Sequence, residues 1–200
     1  RIVSIRDYED FARAFTGIGK AQAVVLWNGE TDLAHITVAS SSGGVLESTS
    51  TVLQNLVKAI DKYRNPMPKV QIDSFDESRF KLKARILVDS AYVADTVLEE
   101  AKSALESAFA FDQREFGQPV TSAEVISTIQ QVAGVTYVDL DKLYLSDPEY
   151  LDEDELGPDQ AGPAAVLPSN RAQWTETKGF KKARLLLIDP DGIELEEMKS

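Results

Sequence analysis

Cysteine is absent from this 200-residue chain, which removes disulfides, thiolate metal sites and cysteine nucleophiles together. Histidine occurs once, as His35, so a zinc site of the usual His-rich or Cys-rich kinds cannot be assembled. No apolar run approaches the ~20 residues that span a bilayer, and no secretory signal opens the chain. Basic residues are in short supply: Lys and Arg number 21 against 33 Asp and Glu, for a net charge of −12. A nucleic-acid binder needs a basic face for the phosphates, so that class is set aside. The same acidity favours solubility and disfavours anionic membranes. Arg1 stands where a start methionine would be, and the expectation is a piece of a longer chain.

What is present is an ordinary globular mixture, 43% hydrophobic and 27% charged, enough to build one large core or two small ones. Asp7 is placed to cap a short helix with Tyr8, Phe11, Ala12 and Phe15 on one face, stopped by Gly17 and Gly19. Strands are expected at 21–27 and 34–40, with Asn28-Gly29 turning between them. A helix follows from Val45 to Tyr63 on the spacing of Val45, Val52, Leu53, Leu56, Val57 and Ile60. Asn65-Pro66-Met67-Pro68 ends it, and a third strand runs over 69–75. Asp76-Glu77-Ser78 reads as a linker.

Residues 79–89 alternate with period two. Phe80, Leu82, Ala84, Ile86 and Val88 face one way, and Lys81, Lys83 and Arg85 the other, the pattern of an antiparallel strand with one dry face and one wet face. Val97, Leu98, Ala101, Leu105, Ala108 and Phe109 mark the next helix. Thr121 and Glu124 read as a capping box for another, with Val125, Ile126, Ile129 and Val132 as its stripe. Gly134 ends that helix before a strand over 135–145. From Asp147 to Pro168 the chain turns acidic and rich in Gly and Pro, with no Lys or Arg among Asp147, Glu149, Asp152, Glu153, Asp154, Glu155 and Asp159. Such a segment buries too little apolar area to offset its ordering entropy, so an extended loop is expected. Order resumes at 183–188, and Asp189-Pro190-Asp191-Gly192 reads as the turn of a late hairpin. The expected class is α+β. Two small domains are expected, each a mainly antiparallel sheet covered by helices: 1–76, and 77–146 with 183–200, around a loop over 147–182.

Candidate chemistry is sparse. Gly17-Ile18-Gly19-Lys20 fails as a phosphate loop, because a helix precedes it, a strand follows and Ala21 stands where Ser or Thr is needed. Asp139 and Asp141 are two apart on a strand and share a face. They open the alternative of a metal-dependent hydrolase, against a plain solvated face or a subunit contact. Asp189-Pro190-Asp191-Gly192 lacks the distal Glu of a calcium loop. No G-x-S-x-G elbow exists. A small ligand-binding module is a further alternative. Lys81, Lys83 and Arg85, and the acidic run Asp152, Glu153, Asp154 and Glu155, are the candidate interface residues. A cation-rich face of one subunit and an acidic run of another are complementary.

Two segments resemble the baseplate J-like family of contractile tails. The first is Arg1-Ile2-Val3-Ser4-Ile5-Arg6-Asp7-Tyr8-Glu9-Asp10-Phe11-Ala12-Arg13 running into Gly17-Ile18-Gly19-Lys20-Ala21-Gln22-Ala23. The second is Phe116-Gly117-Gln118-Pro119-Val120, the helix after it, and Val132-Ala133-Gly134-Val135. Order and spacing agree over roughly residues 1–145. The resemblance implies the C-terminal part of a baseplate wedge protein in a phage tail or a related injection machine. It would be made in the cytoplasm and then built into the baseplate. Partners would be other wedge subunits and further copies of the chain. The resemblance implies no catalytic residues and no cofactor.

Overall fold

The computed structural model describes residues 2–27, 29–64, 66, 69–147, 163–176 and 179–199. The chain divides into two compact units, Arg1–Glu77 with Asn170–Leu185, and Ser78–Ser169 with Leu186–Ser200. The α+β class read from the sequence is the class observed.

The first unit opens with α1 (Ile5–Arg13). Its cap is Ser4 rather than the expected Asp7. Ser4 Oγ accepts from the Asp7 N–H, and Asp7 reaches back to the Ser4 N–H at 2.8 Å and the Val3 N–H at 3.1 Å. Asp7 thus sits third in the helix and completes a reciprocal box. Those backbone donors, Ser4 first, hold its carboxyl below the usual carboxylate range. Next come β1 (Ile18–Trp27), β2 (Asp32–Ser40), α2 (Thr51–Tyr63) and β3 (Lys69–Ser74). Helix α2 starts six residues later than Val45, because Ser50 supplies the cap by accepting from the Leu53 N–H. Val45 and Leu46 precede it as irregular chain, with the Leu46 N–H donating to Ser74 Oγ at 2.8 Å.

The sheet order is β1-β2-β3, antiparallel between β1 and β2 and parallel between β2 and β3. The helices cover one face. Tyr8 and Ala12 of α1 and Leu53, Leu56 and Ile60 of α2 meet Ile36 and Val38 of β2. The opposite face of β2 is also dry: His35 and Thr37 are buried under a hairpin of β8 (Gln173–Thr175) and β9 (Gly179–Lys181). Gly19 sits at the bulge between Ile18 and Lys20. A Cβ there would lie 2.7 Å from the Ser40 carbonyl oxygen and 2.9 Å from Ser41 Cα. Close approach of two backbones, not phosphate binding, is why glycine stands in Gly17-Ile18-Gly19-Lys20.

In the second unit, β4 (Asp76–Val88) takes in the stretch read as a linker. It is followed by α3 (Ala94–Ala108), a short 3-10 helix, β5 (Val120–Thr121), α4 (Ser122–Gln130) and β6 (Val135–Leu145). Strand β7 (Val166–Leu167) pairs with β5, and β10 (Arg184–Glu197) pairs with β4 in a sheet of order β10-β4-β6. Strands β4 and β6 are antiparallel. Along β10 the partners climb in step with β4, Lys81 meeting Asp189, Lys83 meeting Glu196 and Ile86 meeting Met198, so that pair is parallel. Each main sheet is therefore mixed, with one antiparallel and one parallel pairing. The dry face of β4 carries Phe80, Leu82, Ala84 and Ile86 against Ala101, Leu105, Phe109, Val125 and Ile129. Phe80 and Phe109 meet edge to face at 5.1 Å, a favoured aromatic geometry.

The late hairpin is not formed. Asp189-Pro190-Asp191-Gly192 lies inside the continuous β10. Ile188 and Ile193 are both buried although five apart, so strict alternation fails and the four residues absorb an extra one. A proline is tolerated there because β10 is an edge strand. Of the stretch 147–182, the described residues contribute β7, β8 and β9. Asp152, Glu153, Asp154 and Glu155 lie outside the described residues, as does Asn28 of the first turn.

Gly134, between α4 and β6, has φ +90°, and a Cβ there would lie 2.7 Å from Tyr92 Cγ. Gly134→Ala should lower stability by about 2 kcal/mol or more, read as an earlier midpoint in urea unfolding. An unchanged midpoint would show that Tyr92 and the local backbone move aside freely.

Candidate functional site

Three side-chain constellations are built by these elements. The first is the wet face of the β10-β4-β6 sheet. Period two places Lys81, Lys83 and Arg85 of β4 on that face, between acidic groups of both neighbouring strands. Lys81 Nζ lies 3.5 Å from Asp189 Oδ2, and Lys83 Nζ lies 2.7 Å from Glu196 Oε1 and 3.7 Å from Glu194 Oε2. Arg85 donates from Nη2 to Asp139 Oδ2 at 2.6 Å and Asp141 Oδ1 at 2.9 Å, and from Nε to Asp141 Oδ2 at 3.0 Å. The hydrogen bond to Glu196 raises the Lys83 pKa, and Asp141 followed by Asp139 raises that of Arg85. All three cations are exposed enough for water and salt to screen these bonds.

This arrangement settles what Asp139 and Asp141 do. Their oxygens wrap one guanidinium in a fork, so they are a structural clamp rather than an acid and base pair with split environments. Among the described residues no group of three His, Asp or Glu side chains is gathered for a metal. The three expected interface cations are brought together on one face, and each already has a partner within its own sheet. Tyr137 and Tyr144 of β6 stand exposed on the same face.

The second constellation is one that the sequence reading missed. Arg114 follows the 3-10 helix and is 1% exposed. It donates from Nη1 to Glu124 Oε1 at 2.7 Å and from Nη2 to the Pro119 carbonyl at 2.7 Å. Its guanidinium lies 5.2 Å from the Phe109 ring centroid. The turn Phe116-Gly117-Gln118-Pro119-Val120 is folded around this group, and the Gln118 side chain ties back to the Glu115 N–H at 2.9 Å. Only half of the expected capping box forms. Thr121 Oγ1 accepts from the Glu124 N–H, but the Glu124 carboxylate is turned to Arg114. Burial lowers the Arg114 pKa, and Glu124 opposes that shift. An Arg ten residues ahead of a Glu across a Gly-Gln-Pro turn was the available signal.

The third is His35, buried rather than at the surface. Its Nε2 lies 3.0 Å from Asp73 Oδ2, and its ring is 4.7 Å from that of Phe180. Asp73 also accepts from Gln71 Nε2 at 2.6 Å. The His35 bond, ahead of the Gln71 bond, holds the Asp73 carboxyl below its ordinary value. No Ser, Thr or Tyr hydroxyl is bonded to this pair, so it fastens β2 to β3 rather than activating a nucleophile. The described surface also holds a shallow groove of about 320 Å³ lined by Ile2, Asp7, Asp10, Phe11 and Tyr63.

Residues 1–73 match the model of the family described as Baseplate J-like central domain. Among solved structures, a chain of the "Cryo-EM structure of the anti-feeding prophage (AFP) baseplate, 6-fold symmetrised" shares this fold with a TM-score of 0.59 at 11% identity. The match covers 94% of this chain and 38% of that one, so this chain spans well under half the length of that baseplate chain. A search of curated proteins finds no match. The baseplate J-like resemblance read from Ser4-Ile5-Arg6-Asp7-Tyr8-Glu9 and the glycine corner is thus met by a family match over that same segment.

Two tests follow from this geometry. Arg114→Ala strips a buried ion pair of its cation and leaves the Pro119 carbonyl and Glu124 unpaired, which should destabilise the chain by about 3 kcal/mol. Arg114→Lys should recover only part of that loss in urea unfolding, since one ammonium cannot hold the fork. Asp73 contributes stability that is present above its ordinary pKa of 3.8 and lost as pH falls through its lower folded value. Asp73→Asn should therefore melt earlier than the parent at neutral pH, and the gap should close on acidification below that value. A gap independent of pH would show that charge on Asp73 is not what stabilises the pair.

Proposed function

We propose that this chain is a structural, non-enzymatic component of the baseplate of a contractile injection machine. Its work would be to hold neighbouring subunits together. The observation that carries the reading is the family match over residues 1–73, supported by a fold shared along most of the chain with a baseplate protein. The constellations above agree with it. Each buried polar group fastens the chain's own elements together, as in the Arg114 clamp and the His35–Asp73 pair. An assembly protein needs rigid small units with exposed faces more than it needs a pocket, and moderately polar contacts can break and re-form when a machine changes shape.

The partners we propose are other wedge subunits and further copies of this chain. Their contacts would use the face of Lys81, Lys83 and Arg85 and the acidic run Asp152, Glu153, Asp154 and Glu155. Because the three cations are already paired at home, a neighbour's carboxylates would have to compete with or join Asp189, Glu194, Glu196, Asp139 and Asp141. The chain would be synthesised in the cytoplasm and then built into the particle.

Light scattering of the full-length protein mixed with the products of its neighbouring genes tests the reading. Defined hetero-oligomers are expected, and a monomer that ignores every one of them would sink it. Reversing Lys81, Lys83 and Arg85 to Glu should weaken those oligomers. The paired swap Lys83→Glu with Glu196→Lys restores the internal bridge. If the swap also restores full assembly, Lys83 acts only within its own sheet.

A further inference from the structure

Strand β1 is an edge strand, and its outer edge is closed along only part of its length. Arg13 Nε donates to the Ala21 carbonyl at 3.1 Å, and the Ala23 N–H donates to Glu9 Oε2 at 3.0 Å. Glu9 and Arg13 are themselves bridged at 3.1 Å. This ion pair of α1 occupies the outward backbone groups as a neighbouring strand would. In an antiparallel ladder the outward groups recur at every second residue, so those of Val25 and Trp27 also point away from β2. No described group hydrogen-bonds them. Their side chains lie on the same face of the sheet as Ala21 and Ala23, just beyond α1, and are 59% and 56% exposed.

An open edge bearing a β-branched and an aromatic side chain invites another strand, and nothing of the usual lysine or proline protection is present at these two positions. We propose that the Val25–Trp27 edge receives an extended segment of a different polypeptide, in which apolar residues alternate with Lys or Arg. The charge around the edge selects that occupant. Asp10 of α1, Glu30 and Asp32 are exposed near its two ends, and the whole chain carries −12, so a second copy would bring like charge to like charge. A basic residue of the incoming strand can also lie over the indole face of Trp27. Main-chain bonds supply the attachment and the alternate side chains the selectivity, as in strand addition generally. This inference rests on the geometry of β1 alone and stands apart from the assembly reading above.

The test uses the 200-residue chain and two synthetic peptides, one of alternating Lys and Val and one of alternating Glu and Val. Amide spectra should shift at Ala23, Val25 and Trp27 with the basic peptide, and hydrogen exchange at Val25 and Trp27 should slow. The acidic peptide should bind roughly tenfold more weakly or worse. Val25→Pro removes an N–H that the ladder with β2 does not use, so it should abolish binding while leaving the melting temperature nearly intact. Trp27→Ser is the second variant, weakening binding without touching the backbone. Equal binding of the two peptides, shifts located elsewhere, or slow exchange at Val25 and Trp27 in the chain alone would each overturn the proposal. So would protection that appears only with rising protein concentration, since the occupant would then be a second copy.

Discussion

The second unit is organised around one buried guanidinium. Arg114 is the largest side chain removed from water in the described structure, and taking a charge out of water is tolerated only when every direction is answered. Phe109 of α3 lies against its face, the carbonyls of Gln118 and Pro119 approach one Nη, and Glu124 of α4 meets the other. A single planar group thus joins the end of one helix, a turn and the start of the next helix. Helices α3 and α4 then present Leu105, Val125 and Ile129 to the sheet as one apolar surface. Loosening the clamp would leave a charge and a turn without partners, so the packing of both helices depends on it.

This explains why the turn Phe116-Gly117-Gln118-Pro119-Val120 could be noticed in the sequence without being understood. Its Gly, Gln and Pro announce a turn, and Thr121 announces a helix start. The group around which the turn folds lies before it, at Arg114, and an Arg in a polar-looking stretch carries no sign of its burial. The same asymmetry runs through the chain. The alternation of Phe80 to Ile86, the stripes of α3 and α4 and the glycine stop at Gly134 were legible, because period and punctuation are local properties. The parallel course of β10 beside β4 was not, since Asp189-Pro190-Asp191-Gly192 has the composition of a turn and only the tertiary pairing overrides it. His35 beneath Phe180 was equally hidden, because the hairpin that covers it returns from well over a hundred residues further along.

The candidate surfaces were legible in part. Lys81, Lys83 and Arg85 share a face because side chains alternate along a strand. Their partners come from β6 and β10, whose pairing with β4 is a matter of topology. Once those carboxylates are placed, a face that reads as cationic in the sequence becomes nearly balanced in charge. A balanced, exposed network is a weak source of stability in salt. It is better suited to fixing the register of three strands, because a slip of one residue would put every cation opposite an apolar side chain.

Charge pairing also bears on which contacts the molecule can make. Arg13, Lys81, Lys83, Arg85 and Arg114 are all engaged with carboxylates of the chain itself, so many of the scarce cations are spent inside. What remains to face outward is the acid excess. Between copies that excess is repulsive at close range, though screened beyond about 8 Å at physiological ionic strength. A contact between copies therefore has to place apolar or balanced patches together and keep the acidic surfaces apart. A contact with a different subunit carries no such restriction, and a basic partner would gain from the same field both in rate of encounter and in choice of partner. The charge distribution of this chain accordingly suits unlike neighbours better than like ones.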